Sequence, residues 1–202
     1  MTYYIFFEGF LDWNKKSIIF FLLLAGVFIF LCSCASTAAP RKSHLYARLT
    51  DNSKYKLLPP ENIENPIDSH QFVTALYGDR SYQFSAWVKA DKKGIEMALM
   101  NILGATMGEL SYREGAVSFS SSVFPRSVAG EFIVADFQLC FYDTPALREA
   151  LERCGLSLDE TETGRRILQG KTLIIEIEKR QNSVRLVNHL RGYSYTLEGY
   201  FE

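Results

Sequence analysis

The chain has 202 residues, 48% of them hydrophobic, with 22 Lys and Arg against 23 Asp and Glu. That length holds one domain with a core of its own plus a targeting segment. The balanced charge argues against both a nucleic-acid surface and a polybasic membrane-binding face.

At the N-terminus Lys15 and Lys16 precede the uncharged run Ser17–Leu31. A spanning helix needs about 20 apolar residues, whereas a signal-peptide core needs about 7–15 after a basic region; this run suits the second. It closes on Leu31-Cys32-Ser33-Cys34, which resembles the bacterial lipobox. Lys15, Lys16, Leu31 and Ser33 are then the signal-recognition residues, residues 1–33 the signal peptide, and Cys34 the lipidation site. The Cys34 thiol takes a diacylglyceryl group and its freed amine an N-acyl chain, with no other cofactor expected. Each buried CH₂ adds about 0.8 kcal/mol, so two or more chains anchor stably. An uncleaved apolar anchor and a plain cleaved secretory signal are the alternatives. By resemblance to well-studied lipoproteins, Ala35 after the cysteine implies release to the outer membrane, placing the protein in the cell envelope facing the periplasm.

Residues 34–68 turn to Ser, Thr, Asn, Lys and Pro, with Pro40, Pro59, Pro60 and Pro66 as breakers. They predict a lipidated tether and a loosely structured lead-in, with a short element near Leu45–Leu49. A single β-rich domain is expected over 69–202. The 15 Phe and 11 Tyr favour strands. Gln71–Tyr77 and Tyr82–Ala90 flank a turn at Gly78–Ser81, with Tyr82, Phe84, Ala86 and Val88 on one face. Gly94–Ile102 is apolar on both parities, as in a strand covered on both faces. Met107–Tyr112 and Ala116–Ser121 flank another turn, Arg113–Gly115.

The pattern then becomes helical, giving an insert at about 131–154. Phe132, Ala135, Leu139 and Tyr142 have helical spacing, and a second helix starts with Thr144 as cap and Pro145 behind it, ending at Gly155. Strands return at Arg165–Leu168, Thr172–Lys179, Val184–Leu190 and Tyr193–Phe201. In the second of these Leu173, Ile175 and Ile177 alternate with Ile174, Glu176 and Glu178. The predicted class is α+β, mainly antiparallel β: a strongly curved open β-barrel with a helical pair packed in or over its concave face. Lys89, Glu96, Glu176 and Glu178 interrupt the strands, which argues against a membrane-spanning barrel.

Few residues suggest chemistry. His44, His70 and His189 lack partners at zinc-ligand spacing, so no metal site is expected. No nucleophile elbow, phosphate-binding glycine loop or His-Glu-x-x-His occurs; no catalytic residue is assigned and the protein is not expected to be an enzyme. Asp136 and Asp143 suit solvated or capping roles, and Ser118–Ser122 a strand end. For Cys140 and Cys154, a tight helical hairpin would keep the pair apart and leave them as small core residues, whereas a splayed crossing would allow a disulfide. The aromatics admit ordinary packing or a candidate apolar cavity, with Phe84, Val88, Met97 and Leu99 on the sheet and Ile133 and Phe137 as a helical lid. Such a cavity suits an acyl chain.

Gly108–Tyr112, Val117–Pro125 and Ile133–Tyr142, with Val-Ala-Asp-Phe-Gln-Leu within the last, resemble a family of short bacterial lipoproteins with a domain of unknown function. The match runs from about Gln71 to the Tyr193–Leu197 segment. Members often accompany genes for aryl-polyene or fatty-acid-like synthesis, which implies moving or inserting a lipid-like product. Asn101–Gly104 followed by Gly108-Glu-Leu is similar to the central sheet of the Lol lipoprotein carriers, a likeness at the level of fold alone. The expected function is therefore a membrane-anchored envelope lipoprotein binding or transferring an acyl or polyene lipid. The alternative is a structural or assembly lipoprotein docking another envelope protein. The membrane, through the lipid anchor, is the expected partner; no nucleic acid is expected, and the protein partner is unassigned.

Overall fold

The computed structural model describes residues 45–122, 124 and 128–199. The expected signal residues Lys15, Lys16, Leu31 and Ser33 and the lipidation site Cys34 lie outside the described residues.

Among the described residues two three-residue strands come first, β1 (Tyr46–Arg48) and β2 (Lys54–Lys56), paired antiparallel with Ala47 opposite Tyr55. A 3-10 turn follows at Pro60–Asn62. The described part of the lead-in, expected to be loosely structured, is packed into the domain. Ala47, Leu49, Tyr55, Leu57, Ile63 and Ile67 are all buried in the common core. Strands this short carry too little alternation to stand out in a sequence, yet each turns one side chain inward.

Ten longer strands form a second sheet from two antiparallel meanders. The first comprises β3 (Ile67–Tyr77), β4 (Arg80–Asp91), β5 (Gly94–Met100), β6 (Thr106–Arg113) and β7 (Ala116–Ser121). Tyr77 lies opposite Arg80 and Arg113 opposite Ala116, so both expected turns are two-residue hairpins. The second comprises β8 (Ser157–Thr161), β9 (Gly164–Gln169), β10 (Thr172–Arg180), β11 (Ser183–Asn188) and β12 (Tyr193–Glu198). The meanders join at the centre, where β3 pairs antiparallel with β12 and Val73 faces Leu197. The order is β7-β6-β5-β4-β3-β12-β11-β10-β9-β8.

Two helices, α1 (Gly130–Phe141) and α2 (Thr144–Glu152), carry the chain from the edge strand β7 to the opposite edge strand β8. α1 packs against β7, β11 and β1, and α2 against β8 and β2. Every residue of Val134–Cys140 is buried, the polar Asp136 and Gln138 included. Its cap differs from expectation. Asp143, not Thr144, caps α2, its carboxylate accepting from the Ala146 N–H at 3.2 Å, while the Thr144 hydroxyl is taken up by Glu160 and Arg165. At the other end Leu156 N–H bonds Leu151 O and Gly155 N–H bonds Glu152 O, each at 3.0 Å. That bond pair needs a left-handed residue, which Gly155 supplies at φ 77°.

The fold is mainly antiparallel β with two helices, and its large sheet is neither closed nor strongly curled. This corrects the expected strongly curved barrel. The buried face is covered by α1, α2 and the β1–β2 ribbon, so the core excludes water without the sheet wrapping around it. On β10 the pairing shifts between Leu173 and Ile175. This bulge buries Ile174 beside Ile175 and interrupts the expected alternation.

Candidate functional site

The four sheet residues expected to line a cavity do share one face. Phe84 and Val88 lie on β4, Met97 and Leu99 on β5, with Val88 opposite Met97 and Ala86 opposite Leu99. All four are buried, as is Phe137 on α1, and Ile133 packs half-buried against the same cluster. Phe124 meets Phe84 edge to face at 5.7 Å and Phe119 at 6.4 Å, while Phe137 lies 4.8 Å from Phe141. The region between the β4–β7 half of the sheet and α1 is thus lined by aromatic, methionine and aliphatic groups.

One apolar feature of this half faces water. The strand expected to reach Ile102 ends at Met100, and the chain turns outward. Ile102 is 80% and Leu103 87% exposed. The loop holding them is tied down: Asn101 Oδ1 accepts from the N–H groups of Leu103 and Ala105, both at 2.9 Å, and Gly104 N–H bonds Asn101 O. No charge occurs between Glu96 and Glu109. Along this hairpin the side chains pass from the exposed tip through half-buried Met100 and Met107 to buried Leu99 and Met97. Periodicity missed the tip because an apolar loop reads as a continuing strand.

Polar groups beneath α1 serve mainly to fix it. Asp136, expected to be solvated or capping, is instead buried, its Oδ2 accepting from the Tyr193 hydroxyl at 2.7 Å. Burial pushes its carboxyl up to about 7, against the lowering effects of the Tyr193 bond and the Arg191 guanidinium. Gln138 clamps the lead-in: its Oε1 accepts from the Tyr55 hydroxyl and Leu58 N–H, and its Nε2 donates to Leu58 O at 2.7 Å. Tyr112 also donates to Leu58 O. Buried Arg165 donates to Leu139 O at 3.0 Å and Cys140 O at 3.4 Å, placing a cation at the negative end of α1.

Cys140 and Cys154 are free thiols. Cys140 is core packing, its thiol pushed up to about 12 chiefly by burial. Cys154 is half-buried and donates to Leu151 O. Ser121 ends β7 with its hydroxyl on Met107 O. Among the described residues no group of three or more His, Cys, Asp or Glu is placed to hold a metal ion. A cleft of about 470 Å³ opens between the lead-in and α2. It contains none of the six residues named above and was not foreseen from sequence, since it brings β2 against a helix about a hundred residues away.

The profile of a protein family of unknown function, DUF3261, matches residues 68–199. That span runs from β3 through β12 and includes both helices. No curated protein matches the chain.

Proposed function

We propose, from the premise that this chain belongs to the DUF3261 family of proteins of unknown function, that it is a membrane-anchored envelope lipoprotein that binds and hands on an acyl- or polyene-chain molecule. The chain would lie between the β4–β7 half of the sheet and α1, against Phe84, Val88, Met97, Leu99, Ile133 and Phe137. Binding would be by desolvation of apolar area, about 25 cal/mol per Å² removed from water, and no bond would be made or broken. Anchoring through acyl groups on Cys34 would hold the domain at the outer membrane, facing the periplasm. The likeness to the Lol carriers and the association with aryl-polyene synthesis belong to this same proposal.

The observation that carries the reading is the β5–β6 hairpin. It presents Ile102 and Leu103 to water from a hydrogen-bonded, uncharged loop whose strands run back to the buried apolar cluster. Two large aliphatic side chains held outward lose solvation free energy that a bilayer or an acyl chain would return. A tip of this kind would bring the cluster to the membrane surface and give a lipid tail an apolar path to follow.

The test is lipid uptake by the full chain, purified in mild detergent and mixed with labelled vesicles, with bound lipid read by native mass spectrometry. Ile102→Glu with Leu103→Glu should lower uptake tenfold or more while the thermal melt stays put, because both positions are exposed. Unchanged uptake would overturn the proposal. A second reading, docking of another envelope protein by strand addition, has the sheet edge β8 in its favour. Arg148 already covers one carbonyl of that edge, Leu158 O, at 2.6 Å, which places this reading second.

A further inference from the structure

We propose that the cleft between β2 and α2 is a binding site for the anionic headgroup of a membrane lipid. Its volume is about 470 Å³, its apolar lining includes Leu57, Leu58 and Ala150, and its charged lining consists of Lys54, Lys56, Arg153 and one carboxylate, Glu149. Lys54 and Lys56 flank Tyr55 on β2. Tyr55 is buried on the core face, so the alternation of a strand turns both lysines outward. Arg153 forms an ion pair with Glu149 at 2.7 Å. Neither lysine forms an ion pair among the described residues, so two cations of the lining remain to meet an anion, in a chain whose net charge is −1.

The pairing of cationic with apolar lining selects the ligand class. A small inorganic anion would satisfy the lysines but leave Leu57, Leu58 and Ala150 uncovered. A fully apolar molecule would leave the lysines unused. An amphiphile satisfies both at the junction between its phosphate and its first methylenes: phosphate oxygens accept from the ammonium groups, and the carbon chain covers the leucines. Electrostatic attraction to anionic lipid accumulates roughly per basic residue close to the surface.

Position supports the same ligand. Leu57 N–H donates to Leu45 O at 2.9 Å, and Leu45 adjoins Tyr46 on the cleft wall. The eleven residues of chain from Cys34 to Leu45 can span at most roughly 40 Å when fully extended. If Cys34 is lipidated as proposed, the cleft lies within reach of the headgroup layer. That positional argument rests on the lipidation reading, whereas the chemistry of the cleft does not.

The experiment titrates the full chain, held in a neutral detergent, by calorimetry with dihexanoyl phosphatidylglycerol, dihexanoyl phosphatidylcholine and inorganic phosphate. Phosphatidylglycerol should bind, the zwitterionic lipid at least tenfold more weakly, and inorganic phosphate more weakly as well. Lys54→Gln with Lys56→Gln should weaken phosphatidylglycerol about 25-fold, two charges at about fivefold each, and Lys54→Arg with Lys56→Arg should keep most of the affinity. Both lysines are exposed, so folding is not at stake. A double Gln variant within twofold of the wild type, or equal binding of the two lipids, would overturn the site. Inorganic phosphate binding as tightly as phosphatidylglycerol would make it a free-anion site and overturn the lipid assignment. None of these outcomes bears on Ile102 and Leu103, so the two proposals fail separately.

Discussion

The Tyr193 hydroxyl donates to Asp136 Oδ2 at 2.7 Å, tying the last strand of the sheet to the buried side of α1. The bond lies where water is excluded, and burial outweighs it: the Asp136 carboxyl titrates near 7 in the folded protein against 3.8 as a free side chain. The folded state therefore holds a proton that the unfolded chain has released over that interval. Its contribution to stability is complete below about pH 4, declines as pH rises toward 7, and is gone above. At 1.36 kcal/mol per pH unit the amplitude is roughly 4 kcal/mol. Asp136→Asn keeps an acceptor for Tyr193 and cannot ionise. Urea unfolding of both proteins from pH 4.5 to 7.5 should show the wild type losing stability relative to the variant. Parallel profiles would exclude this role for the carboxyl.

Gln138 fixes the lead-in to α1 through three bonds to Tyr55 and Leu58. Gln138→Leu matches it in size but strands the buried Tyr55 hydroxyl and the Leu58 amide, each costing about 1–3 kcal/mol. We expect a loss of roughly 3 kcal/mol, and limited proteolysis should cut near residues 49–58 well before the strands. Wild-type protease resistance would show that side-chain packing of the ribbon alone is enough.

At the tip of the β5–β6 hairpin, polar replacement should leave the fold intact. Ile102→Ser and Leu103→Ser should each change unfolding free energy by no more than about 0.5 kcal/mol, as for surface sites without special contacts. Adsorption of the same variants to neutral lipid monolayers should drop. A large fall in stability would mean that the two side chains pack against something in solution.

Gly164 on β9 pairs with Glu178 on β10, and a Cβ there would collide with Ile177 O. That carbonyl is backbone in a paired strand and cannot swing aside. Gly164→Ala should cost about 3 kcal/mol or more, measurable as a lowered urea midpoint, and hydrogen exchange in β9 should accelerate. An alanine variant as stable as the wild type would mean the two strands can part at this point without penalty.

Much of the sheet was readable because its strands alternate over several residues and meet at short turns. Tyr77 opposite Arg80 and Arg113 opposite Ala116 are local facts. The pairing of β3 with β12 is not, since nothing near Val73 names Leu197 as its neighbour. β8 escaped notice because Ser157–Thr161 buries one residue, Leu158, and otherwise shows polar groups. Asp136 misled for the opposite reason: helical spacing alone does not reveal that α1 is covered on nearly every side. The aromatic face was legible through Phe84, Val88, Met97 and Leu99, whose parity follows from sequence. The cationic cleft was not, because Lys54 and Arg153 meet only after the chain has folded.

The central seam between β3 and β12 has a consequence for how the protein is made. Each half of the sheet is a run of neighbouring hairpins that can form as it emerges, but the two ribbons stay separate until the final strand is available to stitch them. A newly synthesised chain would spend that interval with the inner margins of both halves open to wrong partners. Losing only the residues from Tyr193 onward would make that vulnerable interval permanent.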